Sequence, residues 1–380
     1  MIQGLFWAGL LVLGYTYLGY PILIRAWAAL RPHPARWQEW EPTVSLVIVA
    51  HNEASRVAAR IENLLALDYP RDRLEILLIS DGSTDGTPAR ARGYEPAGVT
   101  VIAFETRRGK PAVLNDVVPK ARGEIAVLVD VRQRLETRAL RALLEHFADP
   151  SVDAVSGELV LTDNLEGTMV GKGIGFYWRY EKFIRRNESR VDSTVGATGA
   201  FYAIRRDLFE SIPEDTILDD VLIPLRIVRQ GCRVLFEAEA RAYDRAAATP
   251  RQEFTRKVRT IAGNFQLFVR EPWLLDPFRN RLWLQTVSHK GLRLLSPPAL
   301  ALAFGASLLM LAQPFYRWML GIQIAFYGAA LGGFAMRNAR RKISLLSVPY
   351  VFCLLNWATV LACFRFITGR QRVTWEKASA

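Results

Sequence analysis

The stretches TVSLVIVAHNEA at residues 43–54 and LEILLISDGSTDGT at residues 74–87 decide the fold. Each contains a short apolar run rich in β-branched residues, the pattern of a strand buried on both faces. Between them, apolar side chains recur at helical spacing from near Ala54 until Tyr69-Pro70. A strand, a helix and a strand at this spacing predict a βαβ unit with parallel strands and a right-handed crossover.

Polar clusters follow both predicted strands. His51 and Glu53 come directly after the first strand, and Asp81 and Asp85 lie in the DGSTDG segment after the second. In open α/β sheets, ligands bind outside the carboxyl ends of the strands. DGSTDG alone is as well explained by a polar turn. Its pairing with the first cluster favours a nucleotide site, in which these residues hold a ribose or base edge.

The motifs VIVAHNEA and LLISDGSTDGT resemble the nucleotide-sugar half of family-two inverting glycosyltransferases, especially membrane-embedded cellulose, hyaluronan and poly-N-acetylglucosamine synthases. The resemblance covers residues 43–270. It implies a Rossmann-like α/β domain of the GT-A type, a UDP-linked sugar donor and a growing polysaccharide as acceptor. The nucleotide-sugar-binding residues that it implies in this part of the chain are His51, Glu53, Asp81 and Asp85.

The apolar segments of the 380-residue chain predict an integral membrane protein. Residues 1–24 carry no charged side chain, and three more uncharged runs occupy 294–316, 318–336 and 343–364. A membrane span needs about 20 residues, so about four spans are expected, with interfacial amphipathic helices before the last three. The predicted organisation is a transmembrane helix at 1–30, a cytoplasmic glycosyltransferase domain at 43–240, interfacial helices at 241–294, transmembrane helices at 295–366 and a basic tail at 367–380.

The net charge of +12 is compatible with nucleic-acid binding, but the basic residues gather beside the apolar runs. That distribution favours the positive-inside rule and attraction to anionic lipid. We therefore predict a multi-pass protein of the inner (plasma) membrane with a cytoplasmic catalytic domain and no nucleic-acid partner. Four spans would leave the C-terminus outside, whereas Arg365, Arg370, Arg372 and Lys377 favour a cytoplasmic tail. A re-entrant or interfacial run would resolve this conflict.

A basic turn and an acidic strand end extend the predicted site. Lys110 begins a predicted helix at 111–118, and a fourth strand at 124–130 ends on Asp130. In the related synthases a lysine at the position of Lys110 contacts the nucleotide phosphates. A solvated basic turn is the alternative.

The family usually shows Asp-x-Asp at the end of this fourth strand, but this chain has Arg132 in the second position. Three explanations stay open. Asp130, the diphosphate and water hold Mg²⁺ or Mn²⁺, Arg132 supplies part of the positive charge, or the site is inactive. We expect the metal on Asp130, because hard oxygen ligands suit these ions.

The general base is expected at Asp220. Leu218-Asp219-Asp220 stands where the synthases have Thr-Glu-Asp, and a carboxylate must take the proton of the attacking acceptor hydroxyl. Asp219 is expected to raise the pKa of Asp220 by like-charge repulsion. The alternative is that both acids only cap a helix. Gly199 and Ala200 lie in a small-residue segment that borders the acceptor in the related synthases, and a tight turn between strands is the alternative there.

Residues 256–266 replace the Gln-x-x-Arg-Trp segment of the synthases. Arg256 aligns with the glutamine, as an acceptor-binding residue, and Arg259 with the arginine, as a nucleotide-sugar ligand. Thr260 stands where the tryptophan belongs. The expected reaction is extension of a polysaccharide at the cytoplasmic face of the membrane, with passage through the membrane segments as a further option. The alternative, which the absent tryptophan favours, is a non-processive enzyme that adds one sugar to a lipid-linked acceptor. A catalytically inactive membrane partner that binds nucleotide or polysaccharide is the remaining alternative, motivated by Arg132.

Overall fold

The structure, a computed structural model, describes residues 1–162, 169–245, 250–336 and 344–371. The predicted basic flank at 337–342 and the residues Arg372 and Lys377 of the predicted tail lie outside these ranges.

One eight-stranded sheet forms the centre of the soluble part, in the order β3-β2-β1-β4-β7-β6-β8-β5. Strands β1 to β4 are parallel, whereas β7 is antiparallel to both β4 and β6. The strands are β1 Val44–Ala50, β2 Leu74–Asp81, β3 Val99–Phe104, β4 Ile125–Val129, β5 Arg134–Leu135, β6 Val152–Leu161, β7 Phe201–Arg205 and β8 Arg233–Asp244. The predicted parallel βαβ unit is thus present, with β1 between β2 and β4.

Helices cover both faces of this sheet, which is why β1 and β4 are apolar at almost every position. One apolar core contains Leu46, Ile48 and Ile61, and the other contains Val47, Leu128 and Leu222. The α-helices of the soluble part are Val57–Leu65, Thr87–Arg92, Lys110–Val117, Ala139–Leu144, Met169–Val191, Asp219–Arg229 and Pro250–Arg270. Below, Met169–Val191 is called the amphipathic helix and Pro250–Arg270 the cleft helix.

The helix predicted from near Ala54 begins three residues later, at Val57. The backbone N–H of Ala54 donates instead to Asp85 Oδ2 (3.1 Å), so the chain first completes a turn against the second polar cluster. Apolar side chains recur at helical spacing over residues 135–147, but the α-helix spans only Ala139–Leu144, because Leu135 is paired with Ala242 of β8. That pairing is a long-range contact that local periodicity does not encode.

Three helices are long and apolar enough to cross a membrane: Ile2–Leu30, Pro314–Ala335 and Leu345–Ile367. We call them the first membrane helix, the second membrane helix and the C-terminal helix. A fourth candidate is the bent pair Trp283–Leu294 and Ser296–Leu309, whose axes differ by 57°. The predicted apolar run at 294–316 is therefore not one helix, because it contains Ser296–Leu309 and the first residues of Pro314–Ala335. Pro297 and Pro298 lie in the first turn of Ser296–Leu309, where proline is compatible with a helix start.

A buried network of charged side chains joins the membrane helices to the soluble part. Tyr20 donates to Glu188 Oε1 at 2.6 Å, and His289 hydrogen bonds to Glu188 and Glu181, each at 2.9 Å. Arg293 pairs with the other oxygen of Glu181. Burial raises the pKa of Glu181, but the nearby cations Arg293 and His289 outweigh it and hold that pKa well below its usual range. The network holds the first membrane helix and the bent pair against the amphipathic helix.

Candidate active site

The two polar clusters meet at the carboxyl edge of the sheet. His51 Nδ1 lies 2.6 Å from the carbonyl oxygen of Asp81. The Asp81 side chain is buried, and its two oxygens accept hydrogen bonds from the backbone N–H groups of Arg108 (2.7 Å) and Gly109 (2.9 Å). Asp81 therefore fixes the loop that delivers Lys110.

Glu53 and Asp85 hold the neighbouring turns. Glu53 pairs with Arg56 at 2.8 Å, and its backbone N–H donates to Thr87 Oγ1 at 2.8 Å. Asp85 accepts from the backbone of Ala54 and of Thr87, each at 3.1 Å. The Asp85 carboxylate and the Glu53 backbone N–H join residues after β1 to residues after β2, so both residues have a structural role at the rim of the cleft.

Lys110 lies between two acids that are far apart in sequence. Its Nζ is 3.0 Å from Asp130 Oδ1 and 3.3 Å from Asp219 Oδ2. Burial lowers the pKa of Lys110, but the charges of Asp130 and Asp219 outweigh burial and raise it above its ordinary value. The lysine is therefore a permanent cation. It joins the end of β4 to the start of the helix Asp219–Arg229.

Asp220 is held in a defined position. Its Oδ2 accepts from the backbone N–H of Gly199 at 3.0 Å, and its carbonyl oxygen accepts from Ala197 at 2.7 Å. A Cβ at Gly199 would lie 2.8 Å from Asp220 Oδ2, so glycine is required for this approach. Burial, then the charge of Asp219, raises the pKa of Asp220 to about 6, while Lys110 and Arg185 lower it. A carboxylate with this pKa can accept a proton near neutral pH.

The small-residue segment connects both acids. Gly199 donates to Asp220, and the carbonyl oxygen of the next residue, Ala200, accepts from the backbone N–H of Asp130 at 3.3 Å. The structure thus brings together Lys110, Asp130, Asp219, Asp220 and the segment 199–200 in one cleft.

The cleft helix supplies arginines along this cleft. Burial lowers the pKa of Arg259, and the charges of Asp219, Asp220 and Asp130 raise it. Arg256 lies three residues earlier on the same helix. Burial and the charge of Arg132 lower its pKa, and Glu253 raises it.

Arg132 itself pairs with Asp244 (Nη2 to Oδ2, 3.5 Å). Asp244 Oδ2 also accepts a hydrogen bond from Gln133 Nε2 at 2.9 Å. Asp244 ends β8, a strand that the sequence did not indicate, so pairing of the sheet brings this acid to Arg132.

Three more residues of the site were missed from the sequence. Arg60 is buried beside Asp130 and donates to the carbonyl oxygen of Gln133 at 2.7 Å; burial lowers its pKa to about 10. Arg185 donates to Thr198 at 2.8 Å, next to Gly199. Tyr202 on β7 is fully buried, and burial with the charges of Asp219 and Asp220 raises its pKa well above the usual value. The sequence did contain a signal for Arg60, because this charged residue lies on the apolar face of its helix.

Comparisons with known proteins concern the family and the fold. Residues 45–212 match the model of glycosyl transferase family 2. This segment, which is less than half of the chain, is similar to a family 2 glycosyltransferase domain. A mannosyltransferase from Pyrobaculum calidifontis, solved with GDP-Man and Mn²⁺, superposes with a TM-score of 0.73 at 21% identity, covering 97% of this chain and 100% of the other. The predicted α/β fold of the GT-A type and the predicted enzyme class, a glycosyltransferase, are confirmed.

Curated relatives match over a smaller part of this chain. The beta-monoglucosyldiacylglycerol synthase of Nostoc sp. is 27% identical over 229 residues, which are 58% of this chain and 49% of that protein. The probable glycosyltransferase YdaM of Bacillus subtilis is 23% identical over 237 residues, 59% of this chain and 55% of that protein. The chain therefore spans about half the length of the curated relatives it matches. The polysaccharide-synthase type is not established by these likenesses.

Proposed function

We propose that this protein transfers a sugar from a nucleoside diphosphate sugar, with inversion, to a hydroxyl of an acceptor at the cytoplasmic face of the membrane. The observation that carries the proposal is the position of Asp220. Its carboxylate, fixed by Gly199 and raised in pKa, lies in the same cleft as the Lys110–Asp130 pair. A base beside a cation that can stabilise a departing diphosphate is what a single displacement at an anomeric carbon requires.

In the proposed reaction, Asp220 takes the proton of the acceptor hydroxyl as its oxygen attacks the anomeric carbon. The bond from that carbon to the diphosphate breaks, and the electron pair leaves with the nucleoside diphosphate. Lys110, which is held by Asp130 and Asp219 before the reaction begins, and Arg259 stabilise the charge that develops on the departing group. His51, Glu53, Asp81 and Asp85 would seat the nucleoside through the turns that they hold.

The sequence predicts Mg²⁺ or Mn²⁺ on Asp130, and the solved mannosyltransferase contains Mn²⁺. The side chains around Asp130 do not fit this ion well. Its Oδ1 lies 3.0 Å from the Lys110 ammonium, and Arg132 cannot act as a ligand. Within the described ranges, no three His, Cys, Asp or Glu residues gather as a metal site. The proposed reaction therefore assigns each step to side chains of this protein.

The acceptor that we propose is a lipid-linked hydroxyl that receives one sugar. Thr260, where the synthases have tryptophan, is exposed and its hydroxyl donates to Arg256 of its own helix at 3.1 Å, so it offers no aromatic surface to a sugar chain. Thr198, Arg185 and Trp178 line one small cavity beside the amphipathic helix. Trp178 itself packs against Lys257 and the C-terminal helix.

The contacts of the helices support a topology with three crossings. Phe6 of the first membrane helix packs with Met310 and Tyr316, at the end of the bent pair and the start of the second membrane helix. Tyr20, at the opposite level, packs on the amphipathic helix. The bent pair and the second membrane helix then run in opposite directions between these two levels.

The C-terminal helix contacts the soluble part over most of its length. Tyr350 packs near Trp178 of the amphipathic helix, and Phe366 stacks on Phe265 of the cleft helix with centroids 6.2 Å apart. Sixteen residues of helix cover about 24 Å. We infer that this helix lies along the inner membrane surface instead of crossing, which places Arg365 and Arg370 in the cytoplasm and resolves the conflict over the C-terminus.

A donor panel tests the function. The full chain in detergent or bilayer discs is given nucleoside diphosphate sugars and membrane lipid, and the products are sized by mass spectrometry. A lipid that gains one sugar mass supports the proposal. A ladder of increasing sizes would support polysaccharide extension instead, and absence of turnover with every donor would favour a non-catalytic membrane partner.

A further inference from the structure

Arg132 occupies the position where the resemblance implies a metal-binding acid. It is mostly buried, with 27% of its side chain exposed, and its guanidinium is held 3.5 Å from Asp244 Oδ2. Gln133 donates to the same oxygen at 2.9 Å. A carboxylate from another strand thus anchors the arginine beside the cleft, so the positive charge is a built feature of the site.

A second guanidinium lies close to the first. Arg256 of the cleft helix is partly buried, and the charge of Arg132 acts on it directly, as do the acids Glu253 and Asp244. Two guanidiniums placed near each other repel in the absence of an anion. Guanidinium is planar and pairs with phosphate through two parallel hydrogen bonds, so such a pair is suited to a diphosphate.

Arg259 and Lys110 are the other two cations of the site. Arg259 lies three residues after Arg256 on the same helix, which is close to one helical turn. Lys110 contacts Asp130 and Asp219. Lys110 and Arg132 therefore place cations at Asp130 and at Asp244, and the cleft helix carries two more.

We propose that Lys110, Arg132, Arg256 and Arg259 neutralise the nucleoside diphosphate directly and that donor binding and transfer need no divalent metal. This inference rests on the proposed function. The bond that breaks joins the anomeric carbon to a phosphate oxygen, and its electron pair leaves on the diphosphate, whose added negative charge these four side chains receive. A metal on Asp130 would have to displace the Lys110 ammonium and would be repelled by Arg132.

Nucleotide binding tests the inference without relying on turnover. The affinity of the full chain for UDP and for GDP is measured by calorimetry in EDTA and again in Mn²⁺. The expected result is that at least one nucleotide binds in EDTA within about threefold of its affinity in Mn²⁺. Binding that requires Mn²⁺ overturns the inference while the proposed function stands. Failure of both nucleotides to bind in either condition overturns the inference and the proposed donor together.

Variants assign the effect to Arg132. Arg132→Asp restores the acidic pair and is expected to weaken binding in EDTA by about tenfold or more, with recovery in Mn²⁺. Arg132→Lys keeps the positive charge and is the control for misfolding. It should still bind nucleotide in EDTA. Arg134→Asp makes the same charge change at an exposed position on β5 and should bind as the wild type does. Equal loss of binding in Arg132→Asp and Arg134→Asp, or no loss in Arg132→Asp, would overturn the role of Arg132.

Discussion

Replacing Asp219 with Asn should move the acidic limb of the pH–rate profile to lower pH. Burial and the charge of Asp219 raise the pKa of Asp220 to about 6, against the lowering effects of Lys110 and Arg185. A general base acts in its ionised form, so the wild-type kcat/KM should fall as the pH drops through about 6. One pH unit below the pKa, about one-tenth of the carboxylate is ionised, which predicts a rate ~10-fold below the plateau.

The Asp219→Asn variant removes the negative charge beside Asp220. It also removes an acid that pairs with Lys110, so the positive charge of Lys110 acts more strongly on Asp220. Both changes favour the ionised form of Asp220, so its pKa falls toward the ordinary aspartate value of about 3.9. At pH 5 the variant should keep a larger fraction of its own plateau rate than the wild type does. The comparison uses the position of the limb, because the variant can also change the height of the plateau.

The assay follows release of nucleoside diphosphate between about pH 3.5 and 8, a range that includes both pKa values, at constant ionic strength, since salt screens charges near the surface. Asp207→Asn is the matched control, because Asp207 is exposed and pairs with Arg206 away from the cleft. Its limb should coincide with that of the wild type. An Asp219→Asn limb that stays near pH 6 or moves to higher pH would refute the electrostatic account of Asp220.

Three further predictions concern other parts of the structure. Gly199→Ala places a Cβ 2.8 Å from Asp220 Oδ2 and should lower kcat/KM by about tenfold or more. Gly175→Ala is the control, because among the described residues its Cβ would approach the Arg179 guanidinium no closer than 3.9 Å; equal rates for the two variants would contradict this account. Arg60→Ala leaves the carbonyl of Gln133 without its 2.7 Å donor, at a cost of about 1–3 kcal/mol, and should lower the melting temperature more than the exposed Arg92→Ala does. A C-terminal green fluorescent protein should fluoresce and a C-terminal alkaline phosphatase should be inactive, while an active phosphatase there would contradict the interfacial C-terminal helix.

Local sequence patterns predicted the part of the fold that they encode. The apolar runs of β1 and β2 and the polar residues after them are short-range signals, and β4 lies at Ile125–Val129, within the strand predicted at 124–130. The Asp219–Arg229 helix likewise begins at the paired acids. The domain boundaries and the roles assigned to individual site residues stay predictions that the experiments above address.

What could not be predicted depends on contacts between distant segments. Asp244 reaches Arg132 only because β8 pairs with β5 and β6. The buried network around His289 likewise joins three helices that come together only in the folded protein. The C-terminal helix has the composition of a span, and its contacts with Trp178 and Phe265 carry the opposite inference. Hydropathy measures composition, whereas the neighbours of a helix decide where it lies.

The most direct test of the central claim compares the wild type with Asp220→Asn in two measurements on the same preparations: affinity for the nucleotide and its release from the best donor of the panel. Loss of the base should slow release by about 10²–10⁴-fold and leave nucleotide affinity within about threefold. Release at the wild-type rate from Asp220→Asn would contradict the assignment of Asp220 as the base.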